Sequence, residues 1–259
     1  MSPKLRISIL TGFPRMFSGP FEDGMLRVAR ETGRVEFRIA NLRDFTDDPH
    51  QSIDDYPYGG GPGMILKVEP VVRALESLPP PLFERREVVL LTPQGERLAQ
   101  TRVRRLVEVG DVVLMLGRYK GIDERVRNFV TREISIGDYI LSGAEPAALV
   151  LADAMARLVP GVLGAQESAE GDSFERQILD SSYYTRPEEF RGMRVPEILL
   201  SGHHAKIAEA RRKDALERTL RRRPDLLENA ELSEKERHWL RSLGWEGDSP
   251  RAEPETPAD

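Results

Sequence analysis

Three apolar runs of strand length in the middle of the chain, each broken by a glycine-bearing turn, constrain the fold more than any other feature. Val88-Val89-Leu90-Leu91 breaks at Thr92-Pro93-Gln94-Gly95, with a helical stretch after it. Val112 to Leu116 breaks at Gly117-Arg118-Tyr119-Lys120-Gly121, ahead of a helix-like Ile122 to Phe129. Glu133 to Ile136 leads into Gly137-Asp138-Tyr139-Ile140-Leu141-Ser142-Gly143, followed by a helix over Pro146 to Leu158. Near-continuous apolar strands that alternate with helices indicate a sheet covered on both faces, hence mostly parallel. Upstream, Leu5, Ile7 and Ile9 alternate with polar residues and predict a strand that ends at the Thr11 to Pro14 turn. Met25 to Glu31 reads as a helix, Val35 to Ala40 as a strand and Asn41 to Gly63 as a loop. Val68 to Leu78 reads as a helix stopped by Pro79-Pro80-Pro81. The expectation is an α/β domain over residues 1–161.

Val159-Pro160-Gly161 closes that domain. Small and polar residues then predict a flexible linker over 162–175. Residues 176–246 should form a small helical domain, with helices over Ala205 to Leu220 and Ser233 to Leu243 separated by Arg223-Pro224. The end of the chain, 247–259, is acidic and proline-rich and is expected to be a disordered tail.

The chain contains no cysteine, which excludes disulfides and thiolate metal sites and fits a reducing cytosol. No uninterrupted apolar leader opens it. The most apolar helix, from Pro146, carries Asp153 and Arg157 and is too short to span a bilayer. The sequence thus reads as a soluble cytoplasmic protein with no membrane partner. The formal net charge of −5 hides a basic segment. Lys206, Arg211, Arg212, Lys213, Arg218, Arg221, Arg222 and Arg223 face only Glu209, Asp214 and Glu217. Such a run is either a solvated helix face or a contact for a phosphate backbone.

In a parallel α/β sheet, ligands collect beyond the carboxyl ends of the strands. Glycines there allow close approach of backbone to a ligand, or simply make tight turns. Consecutive turns of this kind favour a small-molecule pocket without naming its occupant. The Pro57 to Gly63 loop lacks the Gly-Lys-Ser/Thr of a nucleotide-binding loop, and Gly-x-Gly-x-x-Gly is missing from the first strand–helix turn. His50 and His238 are isolated, and His203-His204 are adjacent rather than spaced for a metal.

Beyond these patterns, the residues carry a resemblance. Pro57 to Gly63, Gly117 to Arg125, Ser135 to Tyr139, Arg157 to Gly164, Asp172-Ser173-Phe174, Tyr184 to Pro187 and Val195 to His204 follow in order and spacing. Together they resemble the bacterial tRNA (guanine-N1)-methyltransferases of the SPOUT superfamily, collinearly from about residue 5 to about residue 243. The resemblance implies a SPOUT-type α/β fold with a deep trefoil knot and a small C-terminal helical domain. It also implies a homodimer whose active sites form at the subunit interface. The activity implied is transfer of a methyl group from S-adenosylmethionine to N1 of the guanine 3′ of the tRNA anticodon.

By motif match, Thr92, Pro93, Gln94, Gly95, Gly117, Tyr119, Gly121, Ile136, Gly137, Tyr139, Leu141 and Gly143 would wrap the donor. Asp172 would be the general base and Arg157 the stabiliser of charge on guanine O6. Read without the resemblance, Asp172 suits a helix N-cap and Arg157 a solvated helix face. Arg211, Arg212, Lys213, Arg221 and Arg222 would meet phosphates of the anticodon stem-loop. Mg²⁺ supports turnover in the family, although no metal site is readable here. Three positions depart from the family pattern. Lys120 stands where Gly-Arg-Tyr-Glu-Gly has its acid, Ser142-Gly143-Ala144-Glu145 replaces Ser-Gly-Gly-Glu, and Pro146 falls where a leucine is common. A knotted RNA-binding protein without turnover, or a SPOUT enzyme with another RNA target, are the competing expectations.

Overall fold

The computed structural model describes residues 3–163 and 172–247. It divides into two compact units, Met1–Gln166 and Glu167–Asp259. The expected linker falls largely outside the described residues, as does the expected tail from 248 onward.

The first unit is built on strands β1 (Leu5–Thr11), β2 (Val35–Asn41), β3 (Asp54–Asp55), β4 (Ile65–Leu66), β5 (Glu87–Arg97), β6 (Asp111–Leu116) and β7 (Arg132–Ser135). Five of them form one sheet in the order β2-β1-β6-β5-β7. Every pairing in that sheet is parallel. Helices α1 (Ser18–Glu22), α2 (Gly24–Glu31), α3 (Val68–Glu76), α4 (Gln100–Val109) and α5 (Glu145–Ala156) complete the unit.

The apolar runs are continuous because each strand feeds two cores. On β6, Val112, Leu114 and Leu116 join Val89, Leu91 and Ile134 beneath α2, α4 and α5. Val113 and Met115 turn the other way and join Val88, Leu90 and the Val71 and Ala74 of α3. Adjacent side chains point to opposite faces of a strand, so burial of both faces requires an unbroken run.

All seven residues of β1 are buried, the polar ones included. It lies between β2 and β6, so its polar side chains face the interior: Ser8 Oγ has no hydrogen-bond partner among the described residues, whereas Arg6 and Thr11 find theirs. Arg6 does this by pairing with Glu36 at 2.9 Å and with the fully buried Asp111 at 3.1 Å. Arg86 donates to the same Asp111 at 2.9 Å. Removing Asp111 would take the carboxylate from Arg86 and leave Arg6 with Glu36 alone.

A second departure concerns Thr92–Gly95. The expected end of a strand is instead an excursion within β5, because Leu91 and Glu96 both register on Ile134 of β7. Gly95 shows why the excursion is tolerated. A Cβ there would stand 2.3 Å from the Ile134 backbone nitrogen, so only glycine lets the strand rejoin its neighbour. The loop expected over 41–63 also contains β3, which pairs antiparallel with β4. The helix-like 122–129 stretch is a 3-10 turn over Glu124–Phe129.

The second unit comprises a short hairpin, β8 (Glu189–Phe190) with β9 (Met193–Arg194), and helices α6 (Glu197–Leu200), α7 (His204–Arg222) and α8 (Glu234–Ser242). Its core gathers Ile178, Leu216, Leu227, Leu240 and Trp245. Ser233 and Glu236 close a reciprocal capping box at the start of α8. Among the described residues, no helix is long and apolar enough to cross a membrane.

Candidate functional site

β6, β5 and β7 are neighbours in the sheet and run parallel, so their carboxyl ends share one edge. The turns that follow β6 and β7, with the excursion within β5, line a single cavity of about 380 Å³. That volume lies within the range of small-ligand sites. Thr92, Pro93 and Gln94 contribute from β5, Gly117, Tyr119 and Gly121 from the turn after β6, and Ile136, Gly137, Tyr139, Leu141 and Gly143 from the turn after β7. Gly95 is the exception. It packs against β7 and does not line the cavity.

Sequence reasoning also missed several lining residues. Arg118, Arg127, Ile140 and Ala147 all face the cavity, as does Lys120, already singled out as a departure from the family pattern. Arg118 lies inside the motif Gly117 to Gly121, whose glycines carry the plainer signal. Arg127 gave no signal, because its relevance depends on a tertiary contact: its guanidinium donates to Gln94 Oε1 at 2.7 Å. The hydrogen bond from Arg127 to Glu133, joined by one to Glu124, raises its pKa further and keeps it cationic.

The turn after β6 is held under strain. Tyr119 has φ of 60°, a left-handed backbone that bulky residues rarely adopt. It persists because both flanks are tied: Lys120 N–H donates to Met64 O at 3.0 Å and Gly121 N–H to Arg118 O at 2.9 Å. The aromatic ring at Tyr119 and the chain from Tyr139 to Leu141 are well exposed. Lys120 is exposed too, and its stem lies against Gly63.

Neither of the two residues expected to carry chemistry is among the residues that line the cavity. Arg157 is exposed and follows the last turn of α5, whereas the cavity sits at the first turn of that helix. A helix rises 1.5 Å per residue, which puts Arg157 roughly 15 Å along the helix axis from Ala147, the lining residue on α5 nearest to it. Asp172 belongs to the second unit and is half-buried. Its carbonyl accepts from Glu175 N–H at 3.2 Å and opens a turn rather than a helix, so the N-cap alternative has no helix to cap.

The basic residues of α7 divide by partner. Arg212 is half-buried and binds Glu236 of α8 at 2.7 Å and Glu231 O at 3.0 Å, so it ties helices together. Burial pushes the Glu236 carboxyl up, but the Arg212 guanidinium and the Ser233 cap outweigh it and hold the group at about 2. Arg211 lies over the Tyr183 ring at 5.2 Å, Lys213 pairs with Glu209 at 3.1 Å, and Arg221 pairs with Glu217. Arg221 and Arg222 are exposed at the end of α7.

A model of the family described as tRNA (Guanine-1)-methyltransferase TrmD matches residues 5–229. A tRNA (guanine-N(1)-)-methyltransferase of Dictyoglomus turgidum is 49% identical over 239 residues, which cover 92% of this chain and 96% of the relative. The chain belongs to this family. Bacillus cereus and Bacillus anthracis proteins of the same name are each 48% identical over 240 residues, covering 92% of this chain and 98% of theirs. Membership in the TrmD family makes the chain a methyltransferase, in agreement with the resemblance, and its parallel α/β sheet agrees with the SPOUT fold.

Proposed function

We propose that the chain methylates N1 of the guanine 3′ of the tRNA anticodon, using S-adenosylmethionine held in the cavity beyond β5, β6 and β7. One observation carries this reading: the excursion in β5 and the turns after its neighbours β6 and β7 converge on one cavity in a chain of the TrmD family. The lining suits such a donor. Leu90, Ile136, Leu141 and Ala147 offer apolar walls for a purine, and the glycine turns bring backbone donors and acceptors close to a ribose and an amino acid. When bound, the donor supplies an electrophilic methyl group on a sulfonium. The C-terminal part of the α/β domain is read as threading through a loop to make a deep trefoil knot.

Guanine N1 carries a proton at neutral pH, and a general base has to free its lone pair. Asp172 takes that proton in our reading. As the proton leaves, negative charge grows on O6, and the Arg157 guanidinium meets it there. The position of Arg157, a helix length from the cavity of its own chain, supports a site completed by a second copy. The exposed Tyr139, Ile140 and Leu141 at the cavity mouth provide an apolar surface for such a homodimer. The second unit would hold the anticodon stem-loop, with Arg211, Lys213, Arg221 and Arg222 against phosphates. Arg212 serves there mainly to brace α7 on α8. Lys120 brings a cation where the family has an acid, which suits an acceptor atom of the RNA. Among the described residues, no group of His, Asp or Glu is gathered to hold a metal, and no step is drawn through Mg²⁺. The setting we assign is the cytosol, where tRNA is found.

The test is incubation of the protein with labelled S-adenosylmethionine and unmodified tRNA, followed by identification of the product nucleoside. N1-methylguanosine supports the reading. Binding of tRNA without incorporation would favour a non-catalytic RNA-binding protein, and a different methylated nucleoside would favour another target.

A further inference from the structure

Glu145 opens α5 with a side chain that is almost wholly buried, and no step above uses it. Its Oε1 accepts from the Thr11 hydroxyl at 3.0 Å and its Oε2 from Arg118 Nη1 at 3.0 Å. The Thr11 oxygen in turn accepts from Phe13 N–H at 2.9 Å. The Arg118 guanidinium then lies over the Phe13 ring, 3.8 Å from its centroid. These contacts close a circuit through three segments distant in sequence: the end of β1, the turn after β6 and the start of α5.

The circuit borders the cavity. Gly117, Arg118, Gly143 and Ala144 line it, while Thr11 and Glu145 stand behind them. The two lining turns are also joined through backbone, since Ala144 N–H donates to Gly117 O at 3.0 Å and Arg118 bridges Gly143. There is no slack. A Cβ on Gly143 would stand 2.4 Å from Glu145 Oε2 and 2.7 Å from Arg118 Nη1. The strained Tyr119 follows Arg118 directly, and a backbone of that kind persists only where its neighbours are held.

A buried ion pair is a poor way to stabilise a core, because desolvation offsets much of the attraction. An apolar side chain would serve packing as well. What a carboxylate adds is direction, since it fixes a guanidinium and a hydroxyl in one geometry. We infer that Glu145 is a positioning residue for the methyl donor: through Arg118 and Thr11 it sets the Gly117–Gly121 and Ser142–Ala144 turns in the shape that binds. The inference rests on the reading of this cavity as the donor site.

The experiment measures uptake of S-adenosylhomocysteine by calorimetry, together with the single-turnover rate at saturating donor. Glu145→Gln keeps an acceptor for Thr11 but presents an amide donor to Arg118. It should weaken uptake on the order of tenfold, as expected for loss of a charge-assisted hydrogen bond. The saturated rate should fall much less, because the reacting groups are untouched. Thr11→Val should also weaken uptake, and Thr11→Ser, which restores the hydroxyl, should recover it. Thermal midpoints identify any variant that fails to fold, and if Glu145→Gln does so, the Thr11 pair decides. Wild-type affinity in folded Glu145→Gln, or equal uptake by Thr11→Val and Thr11→Ser, would overturn the inference alone. Failure of the wild-type protein to take up the ligand would remove the donor-site reading, and the positioning role with it.

Discussion

The cavity edge of the first unit and the basic helix of the second present opposite ways to hold a ligand. Around the cavity, backbone does the shaping: glycine turns, a strained Tyr119 and buried polar contacts leave little freedom. Along α7 the long cationic side chains are mostly exposed, and acids one helical turn away pair with several of them. Exposed pairs of this kind are worth about 0–1 kcal/mol, so they exchange readily for phosphate oxygens. The contrast teaches that precision and adaptability are built from different parts. On the proposed function, a rigid backbone cup would meet a donor of fixed shape, and exposed charge would meet an RNA backbone.

The largest effect that would sharpen this contrast concerns Asp172, which belongs to the second unit. Asp172→Asn should lower the single-turnover rate on the order of 10²–10⁴, the range for loss of a general base, with donor and tRNA binding nearly intact. A wild-type rate across pH would remove Asp172 from the chemistry. Gly95→Ala comes next. Forcing a Cβ into the Ile134 backbone should destabilise the first unit by about 1–3 kcal/mol, read from denaturant midpoints, and weaken donor uptake with it. If stability is unchanged, the cup is softer than its geometry indicates.

Arg221→Ala combined with Arg222→Ala should leave the thermal midpoint in place and weaken tRNA binding roughly tenfold, with a shallower salt dependence. An unchanged salt slope would break the assignment of α7 to RNA. The smallest effect is a pH dependence within the second unit. Glu236 titrates at about 2 in the folded protein, against 4.5 ordinarily. Its contribution to stability is present above pH 4.5 and is lost as pH falls from 4.5 toward 2. Glu236→Gln should cost about 1–2 kcal/mol at neutral pH after allowance for solvent screening, and should flatten the acid limb of the stability curve.

Much of the sheet was legible because a residue run reports its own burial. Val112 to Leu116 reads as a two-sided strand whatever lies beside it, and the turn behind it reads from its glycines. Even so, nothing local in β1 reveals that Arg6 will meet Asp111 across the sheet. Of the residues expected around the donor, all but Gly95 line the cavity, and Gly95 was misplaced because a glycine needed for close packing resembles one needed for a ligand.

The sequence by itself determined the α/β pattern, the glycine turns, the basic helix and the family. These follow from short-range periodicity and from motifs in fixed order. Tertiary structure alone decided that β6, β5 and β7 lie side by side, that Arg157 stands a helix length from its own cavity, and that Glu145 closes on Thr11 and Arg118. The reason is physical: lateral strand order and the partner of a buried charge are settled by contacts between residues far apart along the chain, and no local pattern of side chains encodes them.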